Sequence, residues 1–150
     1  FFNKFYEEDF PGLYIYSQPF PGIKEIMTTI FQKNIPVVIA TNPVFPAEAI
    51  NMRLQWAGLA DLPYALVTSY ENMHYCKPHV EYYAEIADRI GVQAEECLMV
   101  GNDEGEDLPA SELGMKTYLL EEFLIKNHQV RYRPDWRGKI PDLSQFIKNL

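Results

Sequence analysis

The 150-residue sequence predicts an α/β fold, a parallel sheet with helices on both faces. Two observations carry this. Short apolar runs alternate with amphipathic stretches from Ile35 onward, the strand–helix rhythm of a parallel sheet. The run IPVVIA (35–40) is β-branched and continuous, as a strand covered on both faces is. Right-handed crossovers then bring the C-terminal ends of the strands to one edge, where open α/β sheets bind their ligands.

The elements follow in order. After IPVVIA comes PAEAINMRLQWAGL, where Ile50, Leu54 and Ala57 recur at helical spacing and Gly58 supplies a stop. YALVTS (64–69) reads as a second strand. PHVEYYAEIADRIGV reads as a helix with Val80, Tyr83, Ala84 and Ala87 on one face and Gly91 at its end. CLMVG (97–101) is a third strand, EDLPASELGM a short helix closed by Gly114, and KTYLL (116–120) a fourth strand. Residues 1–34 hold an aromatic, acidic stretch and then a helix at 23–33. Residues 130–150 hold a Pro/Gly-punctuated segment and a final helix at 142–149. The aromatic cluster of Phe1, Phe2, Phe5, Tyr6 and Phe10 is expected to pack helix on helix, and Trp56 and Trp136 are read as packing residues too. His74 and His79 are read as exposed histidines at a helix start.

Composition bounds the function. The chain is 47% hydrophobic and 23% charged, with a net charge of −8. That is ordinary globular composition, and its acidic balance excludes a general nucleic-acid binder, which needs Lys/Arg stripes. A small phosphorylated substrate stays open, because one lysine and one metal ion handle it locally. No apolar run approaches the ~18 residues of a membrane span, so no membrane partner is expected. Cys76 and Cys97 show neither a disulfide framework nor metal-ligand spacing, which suits reduced thiols in a cytoplasmic protein.

Three motifs fall at the predicted ligand edge. Thr41-Asn42 follows the first strand, Lys77-Pro78 precedes the helix after the second, and Gly101-Asn102-Asp103 ends the third, with Asp107 four residues on. Each has a plain reading: a turn, a solvated lysine beside a first-turn proline, a capped helix start. Together they supply a hydroxyl, a lysine and paired carboxylates, the requirements of phosphoryl transfer. Thr41 and neighbouring N–H groups donate to phosphoryl oxygens, Lys77 offsets their charge, and Asp103 with Asp107 suits Mg²⁺.

VVIATNPVFP, YCKPHVEYY and CLMVGNDEGEDLPASELGMKTYLL resemble the second, third and fourth motifs of the haloacid dehalogenase-like (HAD) hydrolase superfamily. The resemblance runs from about residue 19 to residue 120, and residues 1–18 look like the end of a helical cap. It implies a three-layer α/β/α Rossmannoid core over 19–150. It also implies that Thr41 and Asn42 bind the transferring phosphoryl group, that Lys77 stabilises it and the nucleophile, and that Asp103 and Asp107 anchor Mg²⁺. The family often has an acid directly after the glycine. Here that position is Asn102, read as an outer partner of the metal pair.

The family's first motif, an Asp-x-Asp segment whose first aspartate attacks phosphorus, does not occur in the sequence. In the family it ends a strand at the centre of the sheet, and losing that strand would expose two inner edges. The first methionine is Met27. The expectation is therefore that a further N-terminal segment, or another chain, completes the sheet and supplies the nucleophile, and that these residues alone are inactive. The function expected of the full-length protein is Mg²⁺-dependent phosphomonoester hydrolysis through an aspartyl-phosphate. Two alternatives stand beside it: a non-catalytic HAD-like binding or scaffold protein, and a phospho-receiver domain. A receiver places its acid pair before its hydroxyl and lysine, whereas here the pair comes last.

Overall fold

The computed structural model describes residues 4–127, 129 and 132–150. Phe1 and Phe2 of the aromatic cluster, together with His128, Val130 and Arg131, lie outside the described residues. Contacts divide the chain into two compact units, residues 1–72 and residues 73–150.

In the first unit, a π-helical turn (Phe5–Asp9) and a 3-10 helix (Phe10–Tyr16) precede helix α1 (Ile23–Gln32). Strand β1 (Val38–Ile39), helix α2 (Ala47–Trp56) and strand β2 (Leu66–Val67) complete it. β1 and β2 run parallel, with Val38 opposite Leu66 and Ile39 opposite Val67. Gly22 opens α1 at φ +85°, a conformation that glycine adopts without a Cβ clash. Both carboxylate oxygens of Glu71 accept the Ala47 N–H, at 3.1 and 2.9 Å, so a residue 24 positions away satisfies the first orphan donor of α2. Ile50 is 2% exposed, a burial worth roughly 1.5–3 kcal/mol. Of the aromatic cluster, the three described members pack as expected: Phe10 stacks on Trp56 at 5.4 Å between centroids, and Phe5 and Tyr6 both contact Phe10.

The second unit holds helix α3 (Val80–Ile90), strand β3 (Leu98–Gly101), a 3-10 helix (Leu108–Leu113), strand β4 (Lys116–Leu120), strand β5 (Trp136–Gly138) and helix α4 (Ile140–Lys148). The strands form one parallel sheet in the order β3-β4-β5. Gly91 and Gly114 end the helical segments with φ of +70° and +83°. Trp136 packs against Phe146 at 4.9 Å.

Three expectations need correction. The first two strands are two residues long instead of six, because β1 and β2 pair only with each other among the described residues. The buried face of α3 is Tyr82, Tyr83, Ile86 and Ala87, while Ala84 is exposed; turning the helix this way buries two large side chains in place of an alanine. The punctuated tail contains a fifth strand, β5.

Candidate active site

Within the second unit, β3 ends at Gly101 and the chain turns through Asn102–Glu106 into the 3-10 helix that begins after Asp107. Asp103 folds this loop on itself. Its Oδ1 accepts the N–H groups of Gly105 and Glu106 at 2.8 and 3.0 Å, the local bonding at which aspartate excels. The Asp103 N–H donates to Asp107 Oδ2 at 2.9 Å, and the Asp107 N–H donates to the Asp103 carbonyl at 2.9 Å. The two acids are thus interlocked through main chain and side chain.

Lys77 closes the arrangement. Its Nζ lies 2.6 Å from Asp107 Oδ1, and the two side chains are 6% and 8% exposed. Charges this buried persist because each compensates the other. The Tyr82 ring lies 5.9 Å from Nζ, within cation–π range. One of the three ammonium donors serves Asp107, which leaves others for a phosphoryl oxygen.

Two neighbours make the fit possible. A Cβ on Gly101 would stand 1.9 Å from Asp107 Oδ2 and 2.2 Å from its Cγ, so only glycine admits the carboxylate here. Tyr83, fully buried on α3, donates its hydroxyl to the Glu106 carbonyl. Burial first, then the charge of Asp107, pushes the Tyr83 pKa far up, which keeps the hydroxyl protonated as a donor.

Beside the loop is an open depression of ≈ 520 Å³ bordered by Pro78, Asp103, Gly105, Glu106, Lys126 and Asn127. The segment after β4 crosses the loop there. Asn102 Nδ2 donates to the Phe123 carbonyl at 2.7 Å and the Ile125 N–H donates to the Asn102 carbonyl at 2.8 Å. The Asn102 side chain therefore anchors this crossing segment.

Among the described residues no three His, Cys, Asp or Glu side chains converge as an ion cage. Asp103 and Asp107 are held four residues apart on one loop through the Asp103 N–H and the Asp103 carbonyl, and the bonds that shape the loop use Asp103 Oδ1 rather than Oδ2. That donor set fits Mg²⁺, which takes one or two carboxylates, keeps several waters and accepts a phosphate oxygen.

Thr41 and Asn42 belong to the first unit, just beyond β1. Thr41 Oγ1 lies 3.3 Å from the Thr68 carbonyl and 3.4 Å from Thr68 Oγ1. Thr68 Oγ1 stands 2.9 Å from the Thr41 carbonyl and 3.1 Å from that of Ile39, so its one proton is shared between them. A cavity of ≈ 500 Å³ reaches Thr41 between Leu13, Tyr16, Ile39, Arg53 and Trp56.

Lys77, Asp103 and Asp107 therefore come together, and Thr41 and Asn42 sit at the end of β1 as the motif order anticipates. His74 is exposed and bonds Glu85 instead of a site residue; His79 is exposed at the start of α3. Sequence reasoning missed Thr68, which is 0% exposed and braces Thr41; a hydroxyl pair ending an apolar run was the available signal. It also missed the roles of Gly101 and Tyr83. A tyrosine on the apolar face of a helix reads as core, and no signal distinguished it.

The sequence profile of haloacid dehalogenase-like hydrolases matches residues 4–113. A phosphoglycolate phosphatase of Xanthomonas campestris pv. campestris is 32% identical over 100 residues, covering 66% of this chain and 43% of the relative. The pyrophosphatase PpaX of Halalkalibacterium halodurans is 23% identical over 132 residues, covering 87% and 60%. The chain thus spans about half the length of the curated relatives it matches. Among solved structures, a HAD phosphatase from Thermococcus onnurineus superimposes with a TM-score of 0.76 at 19% identity, covering 95% of this chain and 64% of the other. At that identity it shows the fold. Among the described residues no helix is long and apolar enough to cross a membrane.

Proposed function

This chain belongs to the haloacid dehalogenase-like hydrolase family, and on that premise we propose that it is the phosphate- and metal-binding part of a Mg²⁺-dependent phosphomonoester hydrolase. The observation that carries the reading is the buried Lys77–Asp107 pair interlocked with Asp103. A cation and two carboxylates, held by charge-assisted bonds at the end of a parallel strand, suit the charge pattern of a transferring phosphoryl group. The phosphatases among the relatives support the same reading.

In this account Asp103 and Asp107 hold the ion, with Asn102 behind them tying the loop to the segment after β4. The ion, when bound, neutralises phosphoryl oxygens as charge develops. Lys77 donates to a phosphoryl oxygen while Asp107 keeps its ammonium in place. Thr41, braced by Thr68, and Asn42 are the phosphoryl-oxygen donors that the motif order implies. The attacking aspartate, which becomes an aspartyl phosphate, lies on a segment outside this sequence, and residues 1–18 are the end of the cap. β1 and β3 each pair along one edge only among the described residues, which supports the reading that a further strand completes the fold.

The substrate is a small phosphorylated compound, and the protein is cytoplasmic. Phosphate release from a panel of phosphomonoesters by the full-length protein, with Mg²⁺ and with EDTA, tests the proposal. Release that is blocked by EDTA supports it; a full-length protein that binds these esters without turning any over supports a binding or scaffold role instead.

A further inference from the structure

We propose that Tyr83 is a positioning residue for the carboxylate loop, its hydroxyl holding the Glu106 carbonyl so that Asp103 and Asp107 stay aimed at a common ion. The inference rests on the metal-binding reading of that pair. Two consecutive loop residues are gripped from one short stretch of chain: Lys77, three residues before helix α3, takes Asp107, and Tyr83, in the first turns of that helix, takes Glu106. A single ion pair leaves the loop free to pivot about that contact. A second contact, one residue away and to the main chain, removes the pivot. The peptide between Glu106 and Asp107 is then fixed at both ends, since its carbonyl accepts from Tyr83 and its N–H donates to the Asp103 carbonyl. The Glu106 N–H also donates to Asp103 Oδ1, so a rotation of Glu106 would disturb both acids. Side chains that hold ligating carboxylates in place typically set metal affinity as well as packing.

The test is Mn²⁺ binding, followed by electron paramagnetic resonance, in the full-length protein and in Tyr83→Phe, which keeps the buried ring and deletes only the hydroxyl. Tyr118→Phe, an equally buried tyrosine on β4, controls for general loss of a core hydroxyl, and Asp103→Asn controls for the site itself. Tyr83→Phe is expected to weaken Mn²⁺ binding about tenfold while Tyr118→Phe leaves it unchanged. Unchanged affinity in Tyr83→Phe, with binding lost in Asp103→Asn, overturns the role of Tyr83 and spares the metal site. Equal weakening by both tyrosine variants overturns it too, because the effect is then general to the core. Unchanged affinity in Asp103→Asn removes the metal site and this inference together. Should Tyr83→Phe not fold, the ¹³C ring signals of Tyr83 in the unaltered protein decide: they move on saturation with Mg²⁺, and stationary signals overturn the inference.

Discussion

Lys77 Nζ stands 2.6 Å from Asp107 Oδ1, with both side chains more than nine-tenths buried. A pair placed this deep is a poor source of net stability, but removing one partner strands the other charge in a dry site. Lys77→Met and Asp107→Asn should each destabilise the protein by about 3–5 kcal/mol, measured by urea unfolding. The double substitution should cost clearly less than the sum of the two, since neither group is then left unpaired. Additive losses would mean that the two charges do not depend on each other.

Gly101 is the residue that lets this pair form beside β3. An added methyl meets the Asp107 carboxylate at 1.9 Å, and that carboxylate is pinned by Lys77 and by the Asp103 N–H. Gly101→Ala should therefore cost about 1–3 kcal/mol, the usual range for overpacking, and should weaken divalent-ion binding with it. Binding that stays unchanged would show that the carboxylate relaxes freely.

Much of this arrangement was legible in the sequence because it rests on local rules. The run at 97–101 reads as a strand from its apolar residues, and Asp103 with Asp107 reads as an acid pair just past its end. Lys77 and Asp107 stand at positions where helix starts and strand ends converge. What could not be read depends on partners distant in the chain. The short segment Trp-Arg-Gly becomes β5 only because β4 offers hydrogen bonds to it. The face of α3 is set by its packing against the 3-10 helix Leu108–Leu113, and the hydroxyl of Tyr83 gains a partner only because Glu106 folds back to meet it. Thr68 gains its role by pairing with a residue 27 positions earlier.

Glu85 makes a pH-dependent contribution. Burial tends to raise its carboxyl pKa. The His74 ring, the His74 backbone N–H and the Arg89 guanidinium outweigh that and lower it to about 2 from an ordinary 4.5. A carboxylate with a depressed folded pKa stabilises the fold above its unfolded value and loses that contribution as pH falls through the folded value. The stability advantage of the unaltered protein over Glu85→Gln should be complete above pH 4.5 and should fade between pH 4.5 and about 2. Urea midpoints across that window check it. A difference that stays constant with pH would contradict the assignment.

The central claim is that Asp103 belongs to a metal site for phosphoryl chemistry. Asp103→Asn tests it most directly, because the amide oxygen can still accept the loop N–H groups while the charge is gone. The measurement is kcat for phosphomonoester hydrolysis by the full-length protein across a Mg²⁺ titration. The account predicts a loss of at least about tenfold, roughly 1.4 kcal/mol of barrier, with the Mg²⁺ requirement shifted to higher concentration. An unchanged kcat and an unchanged Mg²⁺ dependence in a folded Asp103→Asn protein would contradict it.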